Sequence, residues 1–312
     1  MFSTMLSSLV SLSFCMALGY LLRKLGLLKE EAISGLTTLL IKAALPCSVF
    51  MALMREFSSV ILVESLTVLV FSMTVNFLGF AMSIPLGHFL KGTPKEKAIW
   101  SYIMAFSNVG FIGFPLMNTV FGGDGLIFTS MSNVSFNLMA FTLGVWIFTH
   151  GKGDGKGEQK SLGKKFLSIF LNPSLVTTLA GFIFFLFQLR LPKVLENGVS
   201  LMAGMTSPLS MVAVGAVLAR SKLSSIFSGW KHYVVLAFRL GVIPLTAFAI
   251  ASPFISNPPA LGAVVILSGT PAASLTVVFA EEYGGDTDLG SRIIFISTIL
   301  SLLTVPLLSF LF

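Results

Sequence analysis

Few side chains in this sequence can do chemistry, and most of them stand inside long apolar runs. The amides of Asn108, Asn133 and Asn137 lie in such runs, together with the hydroxyls of Thr270, Ser274 and Thr276. Amides and hydroxyls can hold a carboxylate, offer oxygen to a cation, or satisfy backbone groups that lack a partner. They do not by themselves break bonds. A catalytic constellation would need a nucleophile beside a base, or two close carboxylates. His88, His150 and His232 all fall at the ends of apolar runs or between them, and no aspartate falls within one. The residues therefore point to binding rather than to an enzyme, and no cofactor or metal site is indicated. Cys15 and Cys47 lie in apolar runs with no partner pattern, which argues against a disulfide framework or a thiolate metal site.

The elements that position these groups are hydrophobic. Hydrophobic residues make up 55% of the 312 and charged residues 11%, against roughly 25% charged in soluble domains. This composition predicts an all-α integral membrane protein. Runs long enough to span lie near 3 to 22, 32 to 54, 60 to 86, 98 to 120, 126 to 149, 166 to 189, 196 to 219, 231 to 254, 260 to 281 and 290 to 311. The first is not a cleavable signal, because nothing basic precedes it and Arg23-Lys24 follows it. Tracing the ten spans from an outside N-terminus puts every loop Lys and Arg except Arg55, Arg190 and Lys193 on one side. That side is cytoplasmic by the positive-inside rule, so both termini are expected outside. The net charge of +7 is thereby explained without nucleic acid.

Two of these spans are interrupted. In Asn108-Val-Gly110-Phe-Ile-Gly113-Phe-Pro115, glycine frees the backbone and proline removes a donor, so the helix is expected to break around Gly110, Gly113 and Pro115. The stretch Ser268-Gly269-Thr270-Pro271-Ala-Ala-Ser274 repeats Gly-x-Pro 156 residues later. A broken helix in hydrocarbon must be buried in protein or line a wet cavity. Such breaks at corresponding points of two halves mark the binding site of secondary transporters. The Gly- and Lys-rich segment 150–165 reads as a cytoplasmic linker between a first set of five spans, 1–149, and a second, 166–312. Because five is odd, the second set enters the membrane inverted. Pro46 in the second span and Pro208 in the seventh extend the correspondence.

The ordered set of motifs resembles the auxin efflux carrier family, whose bacterial members include malate and malonate carriers. It comprises Asn108-Val-Gly-Phe-Ile-Gly-Phe-Pro, Phe121-Gly-Gly-Asp-Gly125, Phe141-Thr-Leu-Gly-Val-Trp146, Asn172-Pro173, Val214-Gly215-Ala-Val-Leu-Ala219, Arg239 with Pro244, and Ser268 through Asp286. The likeness covers essentially the whole chain. It implies ten transmembrane helices as two inverted five-helix repeats, in a fold related to bile acid sodium symporters. Helices 4 and 9 would unwind and cross, a core of 3 to 5 and 8 to 10 would move against a scaffold of 1, 2, 6 and 7, and the scaffold would form a homodimer. The short linker departs from the long cytoplasmic loop of many plant auxin carriers, which puts the hormone itself in doubt as substrate.

The resemblance matches Asn108 to the family's fourth-helix asparagine, which would donate to a substrate carboxylate or cap the broken backbone. It matches Asn137, ahead of Asn133, to the helix-5 asparagine. Ser130, Ala140 and Gly144 share their face and serve equally for close helix packing. Gly269, Thr270, Pro271 and Ser274 complete the expected substrate site, although hydroxyls there can instead bond their own helix. Lys42, one turn before Pro46, is an expected substrate contact that departs from the family, where an uncharged residue is expected; snorkelling to the interface is its other reading. Glu64 reads as an interface residue, and Arg239 as a holder of helix carbonyls or of substrate. Thr4, Ser8, Ser11, Cys15 and Gly19 form a packing face on the first span.

The expectation is a secondary active transporter of small organic anions, mono- or dicarboxylates, in a bacterial inner membrane, working by elevator-type alternating access at the helix 4/helix 9 crossover. No Gly-x-x-x-x-Gly-Lys-[Ser/Thr] motif occurs, so membrane potential, H+ or Na+ would drive it. The alternatives are a sodium-coupled symporter of bile-acid-like anions and a channel, which would need a continuous polar pore.

Overall fold

The computed structural model describes residues 2–150, 173–219 and 229–312. Every regular element among them is helical, and a single isolated bridge joins Ser107 to Ala272. Most of segment 150–165, the expected linker, lies outside the described residues.

In chain order the helices are α1 (Phe2–Lys24), α2 (Glu30–Leu53), α3 (Ser59–Phe89), α4 (Pro94–Ala105), α5 (Val109–Thr149), α6 (Pro173–Leu186), α7 (Lys193–Leu218), α8 (Trp230–Ala251), α9 (Pro258–Ser268), α10 (Leu275–Tyr283) and α11 (Thr287–Leu308). Six helical runs, α2, α3, α5, α7, α8 and Thr287–Leu311, are long and apolar enough to cross a membrane, while Leu175–Leu186 and Pro258–Ser268 are shorter apolar helices. Residues 54–58 separate α2 from α3, at the division expected between the second and third spans.

Three of the helices widen by one residue per turn just ahead of a proline. These π-turns are Leu40–Ala44 before Pro46, Val109–Gly113 before Pro115, and Phe238–Val242 before Pro244. Proline has no N–H to give and its ring collides with the carbonyl four residues back. Widening the turn relieves both faults without ending the helix.

One expectation is corrected here. The first interrupted span does not break at Gly110, Gly113 or Pro115; it leaves helical geometry earlier, at Phe106 and Asn108, and Pro115 sits in the opening turns of α5. Proline is tolerated there because the π-turn Val109–Gly113 directly ahead of it shifts the hydrogen-bond pattern past the missing N–H. The fourth and fifth spans part at Gly122, whose φ of 61° and ψ of −142° are non-helical and kink the chain between two helical stretches without a long loop.

The packing follows small residues. On α1, Gly19 lies against the carbonyl of Val212 on α7, and Gly215 of α7 lies against the carbonyl of Met16. A methyl group on either would overlap backbone, so these two helices touch main chain to main chain. The expected packing face of the first span thus meets α7 at Gly19. Elsewhere α3 packs on α4 and α5, α9 on α5 and α8, and α2 on α6 and α7.

Candidate functional site

The two interrupted spans meet, and each repairs the other's backbone. The N–H of Asn108 donates to the carbonyl of Pro271 over 2.8 Å, and the N–H of Ala273 donates to the carbonyl of Phe106 over 3.2 Å. These are the bonds of a short antiparallel pair between segments 163 and more residues apart in sequence. A third donor, Ala272 N–H, is taken by the hydroxyl of Ser297 on α11 at 3.1 Å. The need for buried backbone groups to find partners is met here without regular secondary structure.

Asn108 organises the first break. Its side-chain oxygen accepts from the N–H of Phe111 at 3.1 Å, capping α5, while its Nδ2 donates to the hydroxyl of Ser274 at 3.2 Å. Asn108 is 5% exposed and Ser274 is exposed, so the pair forms an edge from buried backbone to open space. Beside it, nothing lies within 4 Å of where a Cβ on Gly110 would stand. The first turns of α5 and α10 both start at this edge. Helix N-termini carry partial positive charge and unpaired N–H groups, which suit a carboxylate.

The second break is held from outside. Arg239, on the π-turn of α8 and 1% exposed, donates to the carbonyls of Ser268 and, at 3.0 Å, Thr270, one on each side of Gly269. A methyl group on Gly269 would overlap Leu308. Thr270 and Thr276 give their hydroxyls to Leu267 and Ala273 of their own segment, both as hydroxyls in apolar helices commonly do. Pro271 contributes its carbonyl to Asn108, as above.

The remaining expected site residues are dispersed. Asn133 and Asn137 are buried on α5, and Asn137 donates to the carbonyl of Asn133 at 2.7 Å. Gly113 packs against Leu267 of α9. Lys42 stands exposed on the π-turn of α2 and carries no ion pair among the described residues. Glu64 accepts from Asn257, the residue before α9, at 2.6 Å.

Several polar residues at the crossover are ones the sequence pattern did not single out. Ser210 of α7 donates to the carbonyl of Phe111, tying α7 to the first break. Behind the break, a cavity of about 20 Å³ is lined by Ser72, Asn76, Ser107, Ser132 and Ser268, room for about one water. Ser132 bonds Ser72 and the carbonyl of Ala263, both at 2.9 Å, and Asn76 donates to Ser135 at 3.2 Å. The available signal was Asn76, an amide in the middle of an apolar run, where an unpaired amide is expensive. The serines carried none, since each resembles a small packing residue. Among the described residues no group of three or more His, Cys, Asp or Glu is placed to hold a metal ion.

Comparison with known proteins bears on this arrangement directly. The sequence model of a membrane transport protein family matches residues 4–309. An uncharacterized transporter of Methanocaldococcus jannaschii is 28% identical over 296 residues, covering 93% of this chain and 92% of that protein. The uncharacterized transporter YfdV of Escherichia coli is 22% identical over 310 residues, covering 98% and 97%. A protein of Rhizobium meliloti provisionally named a malonate transporter is 26% identical over 294 residues, covering 92% and 89%.

Proposed function

The chain belongs to the membrane transport protein family, that of the auxin efflux carriers, and on that premise we propose that it is a secondary active transporter of small organic anions. It is an integral membrane protein and a transporter rather than an enzyme. The proposed substrate is a mono- or dicarboxylate, in keeping with the malonate named for the Rhizobium relative.

One observation carries this reading: the two interrupted spans pair backbone to backbone and leave the Asn108–Ser274 edge between two helix N-termini. A carboxylate there would accept from first-turn N–H groups and from the Asn108 amide, exchanging its hydration for preorganised donors. In this reading the fourth helix is α4 with the start of α5, the ninth is α9 with α10, and ten helices form two inverted repeats. The unit built on α3, α4, α5 and α8 to α11 would carry the site past α1, α2, α6 and α7, in an elevator motion. Such a motion must break the Ser210–Phe111 bond and the ion pair between Arg55 and Asp124. Both termini would lie outside in a bacterial inner membrane, with a homodimer through the scaffold.

The neutral oxygens around the cavity at Ser72, Asn76 and Ser107 support a second reading, sodium-coupled symport, since Na+ takes hydroxyl, amide and carbonyl oxygen. The deciding experiment is uptake of labelled malonate, malate and indole acetate into proteoliposomes, with sodium, pH and membrane potential imposed separately. Saturable, sodium-independent uptake of a dicarboxylate is expected. Uptake that appears only with sodium would assign the cavity to the coupling ion, and movement of none of the three would overturn the anion reading.

A further inference from the structure

Arg239 has more charge than its partners answer. Two of its donors go to main-chain carbonyls at the end of α9, its Nε has no hydrogen-bond partner, and among the described residues no carboxylate lies within ion-pair reach. Carbonyls at a helix C-terminus supply about half a negative charge. A guanidinium that is 1% exposed in the middle of a span, with only that compensation, keeps an unbalanced positive charge. Its acceptor Thr270 is the neighbour of Pro271, whose carbonyl holds Asn108. The unbalanced charge is therefore hydrogen-bonded to the residue next to Pro271, which itself holds the edge where the two helix N-termini begin.

We propose that Arg239 is the specificity-determining charge of the crossover, acting on the substrate through space while clamped to the chain, and that it makes the site favour dianions over monoanions. This rests on the anion-carrier reading above. Because both guanidinium nitrogens that point at the break are occupied by carbonyls, the substrate gains the field of the cation without displacing its bonds. Unit charges at a separation on the order of 10 Å and an effective dielectric of about 20 attract by about a factor of ten in affinity, hence about a hundred for two charges. The same field opposes a cation bound at the same edge.

The test uses wild type, Arg239→Gln and Arg239→Lys in proteoliposomes, with malonate and monomethyl malonate as probes of nearly equal size and different charge. Gln keeps two N–H donors for the carbonyls and loses the charge; Lys keeps the charge and loses the fork. With Gln, KM should rise about tenfold for the monoester and about hundredfold for malonate, at a nearly unchanged maximal rate. With Lys, the preference for malonate should persist even if the maximal rate falls. Equal KM changes for the two probes in Gln, or loss of the preference in Lys, would reduce Arg239 to a clamp. If Gln does not yield a monodisperse protein in detergent, the Lys variant alone decides. A wild type that moves neither probe removes the carrier reading and this inference with it; a wild type that moves both beside a Gln variant of unchanged KM removes only the inference.

Discussion

The two breaks look alike in sequence and are built by opposite means. At the first, a residue of the break starts the next helix: Asn108 caps α5 with its own oxygen and reaches Ser274 with its own nitrogen. At the second, no local side chain does this work. Thr270 and Thr276 spend their hydroxyls on their own turns, and the closing partners come from outside: Arg239 on α8 donates to the carbonyls and Ser297 on α11 accepts from Ala272. The first break carries its own helix cap, and the second takes its side-chain partners from the helices around it. A local cap survives motion of its surroundings, whereas a borrowed one reports on them.

The largest effect expected from breaking this comparison is at Asn108. Asn108→Ala removes a cap worth about 1 kcal/mol and the bond to Ser274 together, and should lower dicarboxylate uptake at least about hundredfold, the scale of losing a charge-assisted bond plus positioning. Retained thermal stability in detergent within about 5 °C separates lost function from lost fold. Unchanged transport kinetics would take Asn108 out of the site.

Next comes the contrast of the two prolines. Pro271 lies in its break and Pro115 lies inside a helix that continues past it, so Pro271→Ala should cost about tenfold in transport while Pro115→Ala stays within about threefold, since alanine is the best helix former. Equal losses would mean that the two prolines serve the same purpose after all. The smallest effect is expected at Ser274, which accepts from Asn108 at an exposed edge. Ser274→Ala should raise KM about threefold, in the range of one partly solvated hydrogen bond. Combined with Asn108→Ala it should add nothing, because the shared bond is already gone.

How much of this was readable from the sequence follows the same division. The hydrophobic runs predicted the helices, and Gly269-Thr270-Pro271 marked the second break where it stands. The glycines and Pro115 placed the first break a few residues late, although Asn108 was legible as a cap of the broken backbone. Arg239 was visible as an ionisable residue in an apolar run, but its acceptors are 29 and 31 residues away and are set by packing of α8 on α9. Ser72, Ser132 and Ser210 were illegible for another reason. A serine that bonds across helices and one that merely lets them approach have the same neighbours in sequence, and only the three-dimensional partner tells them apart. Lys42 stands exposed on α2, a position compatible with either of the two readings its type suggested, substrate contact or snorkelling.

The paired backbone at the crossover also works as a clock. The amide protons of Asn108 and Ala273 are each held by a carbonyl of the opposite segment, so neither can be released to solvent unless the two segments part. Their exchange with deuterium should therefore share one rate, well below that of the loop 54–58, and that rate is the frequency with which the crossover opens. Added substrate would slow both protons by the same factor, which turns a pair of main-chain hydrogens into a label-free gauge of occupancy.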